Sequence, residues 1–139
     1  MYTAFLDANV LFSAAYKPKN RLLKLWSLEN VTLITSFYAL DEANRNLVKA
    51  DQKTMLESLM RDVRIVMAVL PNLRLPPSIT LPEKDIPIIS AAILAKADVL
   101  VTGDIEHFEP YFGKKIKGVL ILRPSPFIDF VEKSRKDSA

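Results

Sequence analysis

Short continuous apolar runs alternate along this chain with longer stretches in which apolar residues recur every three or four positions. The continuous runs predict strands that are buried on both faces, because such strands have no polar side to alternate with. We place strands at residues 2–6, 31–35, 98–102 and 119–122. A further short extended segment is expected at 73–75, inside the proline-punctuated stretch 71–82.

The stretches between the strands have the spacing of helices. They cover residues 9–15, 22–26, 36–50, 51–66, 85–96 and 125–133, with Ser36 and Asp51 as N-caps. Strands separated by helices favour a parallel sheet with helices on both faces. The sequence therefore predicts an α/β fold, a three-layer sandwich around a mostly parallel sheet of four to five strands. We expect one domain over residues 1–133 and a polar C-terminal tail over 134–139.

The composition leaves few kinds of chemistry open. The chain of 139 residues has no cysteine, one histidine and three glycines. Cysteine–zinc sites, thiol catalysis and glycine-rich phosphate loops are therefore excluded, and catalysis would depend on carboxylates. The net charge of +3 suits a polyanionic partner. No apolar run is long enough to cross a bilayer and no signal peptide is visible, so we expect a cytoplasmic protein without a membrane role.

Two acidic residues come at the ends of predicted strands. Asp7 follows the first strand directly, and Asp104 follows the third after Gly103. Because the carboxyl ends of parallel strands meet at one edge of a sheet, these carboxylates should lie close together, and a cation between them would relieve their repulsion. Taken singly, Asp7 could be only a helix N-cap and Asp104 only a turn residue.

Further acidic residues lie on predicted helices. Asp85 precedes a helix with Pro87 in its first turn and shares the buried stripe of Ile89, which points its carboxylate toward the sheet edge. An N-cap is the alternative reading of Asp85. In the pair Asp41 and Glu42, a helical wheel places Asp41 nearer the buried side.

The segments that contain these acids resemble the motifs of the PIN-domain family. They are FLDANVLFSA from Phe5, TSFYALDE from Thr35, DIPIISAAILAKAD from Asp85 and VLVTGD from Val99. The closing ILRP, followed by Phe127, is similar to that of the stand-alone bacterial and archaeal members. The likeness covers nearly the whole chain and is to VapC-like toxins and stand-alone PIN-domain ribonucleases.

The resemblance implies a PIN-like fold and a catalytic set of acids that binds one or two Mg²⁺ or Mn²⁺ ions. That set is Asp7, Glu42, Asp85 and Asp104. The family pattern thus favours Glu42 over the helical wheel and leaves Asp41 in reserve. Glu106 fits the place of an additional metal ligand, or is simply a surface glutamate.

Three other residues near the motifs are interpreted through the same resemblance. Asn9 and Thr102 correspond to the polar partners that hold the acids in position. His107 corresponds to no catalytic residue of the family, and we expect it on the surface or in a loop.

PIN domains are known as ribonucleases, so the resemblance implies a metal-dependent endoribonuclease that hydrolyses RNA phosphodiester bonds. It further implies the toxin of a toxin–antitoxin pair, with an antitoxin protein and a second copy of the chain as partners. The RNA would lie along basic side chains, each of which could also be only a solvated surface charge. These are Lys17, Lys19, Arg21, Lys24, Arg45, Lys49, Lys114, Lys115 and Lys117.

Two alternative functions stay open. The first is a non-catalytic PIN-like module that binds RNA or a protein. The second is a phosphoacceptor receiver domain, which the sequence favours less because Asp7 stands alone after its strand and no strand ends in a convincing lysine.

Overall fold

The computed structural model describes residues 1–67 and 73–138, except for the side chains of 136–138. Within these residues six strands form one sheet: β1 (Tyr2–Leu6), β2 (Val31–Ser36), β3 (Val63–Val66), β4 (Val99–Val101), β5 (Lys115–Ile116) and β6 (Val119–Leu122). The α-helices are α1 (Ala8–Tyr16), α2 (Phe37–Asn46), α3 (Ala50–Met60), α4 (Ile86–Leu94), α5 (Ile105–Phe108) and α6 (Pro124–Ser138). Short 3-10 helices cover Arg21–Ser27, Glu83–Asp85 and Glu109–Tyr111.

The sheet has the strand order β3-β2-β1-β4-β6-β5, and every pairing is parallel except that of β5 with β6. This confirms the expected α/β fold with a central, mostly parallel sheet flanked by helices. β1 lies between β2 and β4, with Phe5 opposite Ile34 on one side and Leu100 on the other. All three of these side chains are fully buried, which explains the continuous apolar runs in the sequence.

The central position of β1 determines where the site lies. Because β1, β2 and β4 run in the same direction, their carboxyl ends come to one edge of the sheet. The buried Thr35 joins two of these ends, since its Oγ1 donates to the Leu6 carbonyl at 2.7 Å. At the end of β2, Ser36 accepts a hydrogen bond from Ala39 N and so caps α2, as expected.

The predicted helix over 51–66 was wrong in its second half. α3 ends at Met60, and Val63–Val66 form the edge strand β3 beside β2. Val63 and Val66 are three positions apart, which fits the apolar stripe of a helix as well as it fits a strand. The cap is Lys49 rather than Asp51, which lies in the first turn.

A second strand absent from the prediction is β5, which forms a hairpin with β6. The loop between them is Lys117-Gly118, and both residues have positive φ, 47° and 88°. Two-residue hairpin loops of this kind require positive φ at both positions. With only two residues in β5, periodicity offers no signal, and the glycine is the one sequence feature that could have revealed the turn.

Several predicted boundaries also differ. Residues 22–26 lie in a 3-10 helix, α2 stops at Asn46, and residues 73–82 form no strand. α6 continues through 134–138, so most of the expected polar tail is helical. Pro71 and Ala139, which began the proline-punctuated stretch and ended the tail, lie outside the described residues. In the part of the chain that is described, no helix has the length and apolar character needed to cross a membrane.

Candidate active site at the carboxyl edge of the sheet

Asp7 lies at the end of β1, buried to 4% exposure, and caps α1. One carboxylate oxygen, Oδ1, accepts from Ala8 N at 2.7 Å. The other, Oδ2, accepts from Thr102 Oγ1 at 2.8 Å and from Asn9 Nδ2 at 3.1 Å. Asp7 is therefore a helix cap, as one interpretation expected, but only Oδ1 is used for capping. Oδ2 is oriented by the side chains of Thr102 and Asn9.

Asn9 and Thr102 connect the two strand ends that supply the acids. Asn9 Oδ1 accepts from Gly103 N at 2.7 Å, and Thr102 Oγ1 accepts from Asp104 N at 3.1 Å. A Cβ at Gly103 would lie 3.2 Å from Asn9 Oδ1, so glycine allows this close approach. The network ties the loop after β4 to Asp7, which is the geometry expected of positioning residues.

Asp104 caps the short helix α5, and its side chain is 22% exposed. Its Oδ1 accepts from His107 N at 3.1 Å. Its Oδ2 lies 2.7 Å from His107 Nδ1. The carboxylate therefore faces the imidazole of a residue three positions later, a spacing that brings side chains together on a helix.

Asp85 comes to the same place from the start of α4. It occupies the N-cap position but makes no capping hydrogen bond through its side chain, which is 10% exposed. Its Oδ2 lies 2.9 Å from His107 Nδ1. As predicted, Asp85 shares a buried stripe with Ile89 and Ala92, and the stripe directs the carboxylate inward.

Glu42 and Asp41 have different surroundings on α2. Asp41 is 66% exposed and pairs with Arg45 one turn later, Oδ2 to Nε at 3.0 Å. Glu42 is half-buried and, with Asn9, Phe12 and Asn46, lines a groove of about 440 Å³. Its negative charge acts on both Asp7 and Asp85.

The electrostatics of the cluster are those of crowded carboxylates. Burial raises the pKa of Asp7 to about 6; hydrogen bonds from Thr102 and Ala8 oppose the shift, and the charges of Asp85 and Glu42 add to it. Burial likewise raises the pKa of Asp85, against the lowering effect of His107. Both shifts have the sign expected of carboxylates that are buried near other negative charges.

The donor atoms present fit a divalent cation. One ligand atom from each of Asp85, Asp104 and His107 lies within 4.8 Å of the others. The Asp85 Oδ2 atom is buried and, apart from its 2.9 Å contact with His107 Nδ1, has no hydrogen-bond partner among the described residues. An unsatisfied carboxylate oxygen of this kind costs free energy unless a cation or donor meets it. Carboxylate-rich sites suit Mg²⁺ and Mn²⁺.

His107 was expected on the surface or in a loop, but it lies in α5 and is largely buried. Its side chain is 17% exposed and its ring lies between Asp85 and Asp104. The three-residue spacing from Asp104 was the sequence signal for this placement. Glu106, by contrast, is 87% exposed, and its Oε1 is 4.0 Å from His107 Nε2, on the other side of the ring.

The basic residues expected along the RNA are all exposed, but they are dispersed. Arg45 pairs with Asp41, Arg21 Nη2 donates to Ser125 Oγ at 3.4 Å, and Lys24 pairs with Glu132. The remaining predicted cations are Lys17, Lys19, Lys49, Lys114, Lys115 and Lys117. Lys84, which was not among the predicted cations, lies beside Asp85 and lowers its pKa.

Comparisons with known proteins agree with this architecture. A family model described as a PIN domain matches residues 3–106, most of the chain. No curated protein matches the chain. The fold is similar to a solved chain from VapBC2 of Rickettsia felis bound to a DNA fragment from their promoter. That similarity has a TM-score of 0.63 at 17% identity and covers 87% of this chain and 98% of the other.

Proposed function

Since the chain belongs to the PIN-domain family, we propose that it is a metal-dependent endoribonuclease that hydrolyses RNA phosphodiester bonds. PIN domains are generally nucleases. Because the chain belongs to this family, the alternative of a phosphoacceptor receiver domain is dropped. The observation that carries the proposal is the convergence of buried carboxylates from separate elements. Burial raises the pKa of both Asp7 and Asp85 there, and nearby carboxylates add to both shifts.

In this proposal Asp7, Asp85 and Asp104 hold the cation, and Glu42 reaches the same cluster from α2. A divalent cation bound there would lower the pKa of a water molecule and neutralise charge that develops at phosphorus. Asn9 and Thr102 fix the orientation of Asp7 through hydrogen bonds of 3.1 and 2.8 Å. Held in this way, the carboxylates need little reorganisation when the reaction occurs.

The groove beside Glu42 is the proposed path of the RNA. Its lining combines the amides of Asn9 and Asn46 with the ring of Phe12. Amides can bond to phosphate or sugar, and an aromatic ring can stack with a base. The exposed basic residues, none of which lines the groove, would add a sequence-independent attraction to phosphate from elsewhere on the surface.

The test is cleavage of a labelled RNA with Mg²⁺ or Mn²⁺. We expect cleavage that EDTA abolishes and that falls by at least about a hundredfold in Asp7→Asn and in Asp104→Asn. A matched control is Asp98→Asn, because Asp98 also ends a loop at the sheet but bonds to Thr3 N, away from the cluster. Cleavage that persists in both site variants would contradict the proposed site.

A non-catalytic module that binds RNA or a protein is the alternative function. Calorimetric titration with Mg²⁺ or Mn²⁺ distinguishes this module from the nuclease, because a module without catalysis does not need a cation site. Absence of both metal binding and cleavage would favour the module.

We also propose a role as the toxin of a toxin–antitoxin pair, with an antitoxin and a second copy of the chain as partners. The fold similarity to a VapBC2 chain supports this role. Co-expression with the protein of a neighbouring reading frame should relieve growth arrest if the chain is a toxin. Size-exclusion chromatography would report both complexes.

A further inference from the structure

His107 occupies the centre of the carboxylate cluster rather than its margin. Its Nδ1 atom lies 2.7 Å from Asp104 Oδ2 and 2.9 Å from Asp85 Oδ2. These separations are close to the ~3.0 Å between neighbouring ligand atoms of an octahedral Mg²⁺- or Mn²⁺-sized ion, whose bonds are about 2.1 Å long. His107 Nδ1 is therefore spaced from each of the two carboxylate oxygens as one ligand atom of an ion is from its neighbour.

The hydrogen bonding of the imidazole does not account for this arrangement. A ring nitrogen carries at most one proton, and the contact of Nδ1 with Asp104 has the geometry of a hydrogen bond. The second carboxylate oxygen, Asp85 Oδ2, is buried, close to the same nitrogen, and without a hydrogen bond. Its lack of a hydrogen bond from the described residues is a second sign that the cluster accommodates a cation.

We propose that His107 is itself a ligand of the metal ion, through Nδ1, and that it makes the site prefer Mn²⁺ to Mg²⁺. The inference rests on the proposed function and identifies the cation of that same site. As a ligand, Nδ1 would direct its lone pair at the ion, and Nε2 would carry the proton of the ring.

The preference follows from ligand chemistry. Mg²⁺ takes oxygen ligands almost exclusively and keeps several waters, whereas Mn²⁺ lies on the transition-metal series and accepts imidazole nitrogen more readily. An imidazole added to the carboxylates of the site gives a mixed set of ligands that favours Mn²⁺. A site made of three carboxylates alone would have no nitrogen ligand to distinguish Mn²⁺ from Mg²⁺.

The test uses the fact that His107 is the single histidine of the chain. Pulsed electron paramagnetic resonance of the Mn²⁺-bound protein, with any purification tag removed, should show coupling to one imidazole nitrogen. Labelling histidine with ¹⁵N should replace the ¹⁴N coupling in that signal by the coupling of a ¹⁵N nucleus. Mn²⁺ that binds without nitrogen coupling would overturn the proposal and leave His107 as a hydrogen-bonding residue.

Calorimetry of a variant tests the selectivity. We expect His107→Gln to weaken Mn²⁺ binding by about tenfold or more and to weaken Mg²⁺ binding much less. Glu109→Gln is the matched control, since this exposed residue lies just beyond α5 and outside the cluster. Equal losses for the two ions would contradict the selectivity. Circular dichroism checks that the variant folds. The resonance experiment is done on the wild-type protein, so it tests the proposal even if the variant does not fold.

The failure of this inference is distinguishable from the failure of the proposed function. Nitrogen coupling in a protein that cleaves no RNA would support His107 as a ligand and contradict the nuclease. RNA cleavage with Mn²⁺ but without nitrogen coupling would support the nuclease and overturn the role of His107.

Discussion

Thr102 is the residue on which the two strand-end acids both depend. Its fully buried hydroxyl donates to Asp7 Oδ2 and accepts from Asp104 N. One small side chain thus lowers the cost of the Asp7 charge and fixes the backbone that presents Asp104. The hydroxyl, rather than its bulk, is what the site requires from this position.

We therefore predict a measurable effect of Thr102→Val, which keeps the shape and removes the hydroxyl. It should lower the free energy of unfolding by about 1–3 kcal/mol, because buried partners lose their hydrogen bonds. It should also raise the pKa of Asp7 further and weaken Mn²⁺ binding by about tenfold. Urea unfolding and calorimetry measure the two effects.

Thr32→Val on β2 is the control for this substitution. The Thr32 hydroxyl makes a weak contact with the Met1 sulfur at 3.6 Å and lies outside the network of Asp7 and Asp104. Loss of stability without loss of metal affinity in Thr102→Val would mean that the hydroxyl serves the fold alone.

The neighbours Asp41 and Glu42 provide a second test at the scale of the residue. Glu42→Gln should weaken metal binding and slow RNA cleavage by at least about tenfold, because it removes a negative charge that Asp7 and Asp85 both sense. Asp41→Asn should change neither, since Asp41 is exposed and paired with Arg45. Cleavage assays on the pair decide the question, and a larger loss in Asp41→Asn would reverse the assignment.

At this scale the sequence predicted positions better than orientations. Asp7 and Asp104 could be placed because the end of a strand fixes where the next residue lies. The helical wheel favoured Asp41, whereas the structure places Glu42 in the groove and Asp41 outside it. His107 was misplaced, because its position depends on the four-residue helix α5, which follows Asp104 and is too short to show a periodic pattern in the sequence.

At the scale of elements, the four central strands were predictable, and the two edge strands were not. β1, β2, β4 and β6 are apolar on both faces, so their composition alone identifies them. β3 has four residues and β5 two, and both lie at edges of the sheet. An edge strand pairs on one side only, so its existence depends on the neighbour rather than on its own pattern.

The cap of α2 offers a prediction for an element. Ser36→Ala removes the acceptor for Ala39 N and should lower the free energy of unfolding by about 1 kcal/mol. Because α2 carries Glu42, metal affinity should fall modestly as well. Chemical denaturation and calorimetry measure these changes, with the exposed Ser27→Ala as control. An unchanged stability would show that the cap is dispensable.

At the scale of the whole molecule, stability should depend on pH and on the cation together. Without metal, the raised pKa of Asp7 means that the folded state binds its proton more tightly than the unfolded state does. Stability should therefore fall as pH rises from about 4 through about 6, by at most about 3 kcal/mol. A carboxylate with a lowered pKa would give the opposite trend.

A bound cation should reverse this loss. Ionised Asp7 favours the ion, so Mn²⁺ affinity should rise about tenfold per pH unit up to about pH 6 and then level off. At about a hundred times its dissociation constant, Mn²⁺ should add about 2.7 kcal/mol. Melting temperatures at about pH 5 and about pH 8, with and without Mn²⁺, measure both trends. Equal stabilisation by Mn²⁺ at the two pH values would contradict the role of Asp7.

The strand order of the sheet has a consequence for synthesis. Asp7 and Glu42 belong to the first part of the chain, whereas Asp85, Asp104 and His107 arrive after it. β4 must join β1 before the two groups can meet. A nascent chain that folds from its N-terminus would therefore carry half of the acids but no complete set until more than a hundred residues have left the ribosome. The proposed metal site would therefore be assembled only late in the synthesis of the chain.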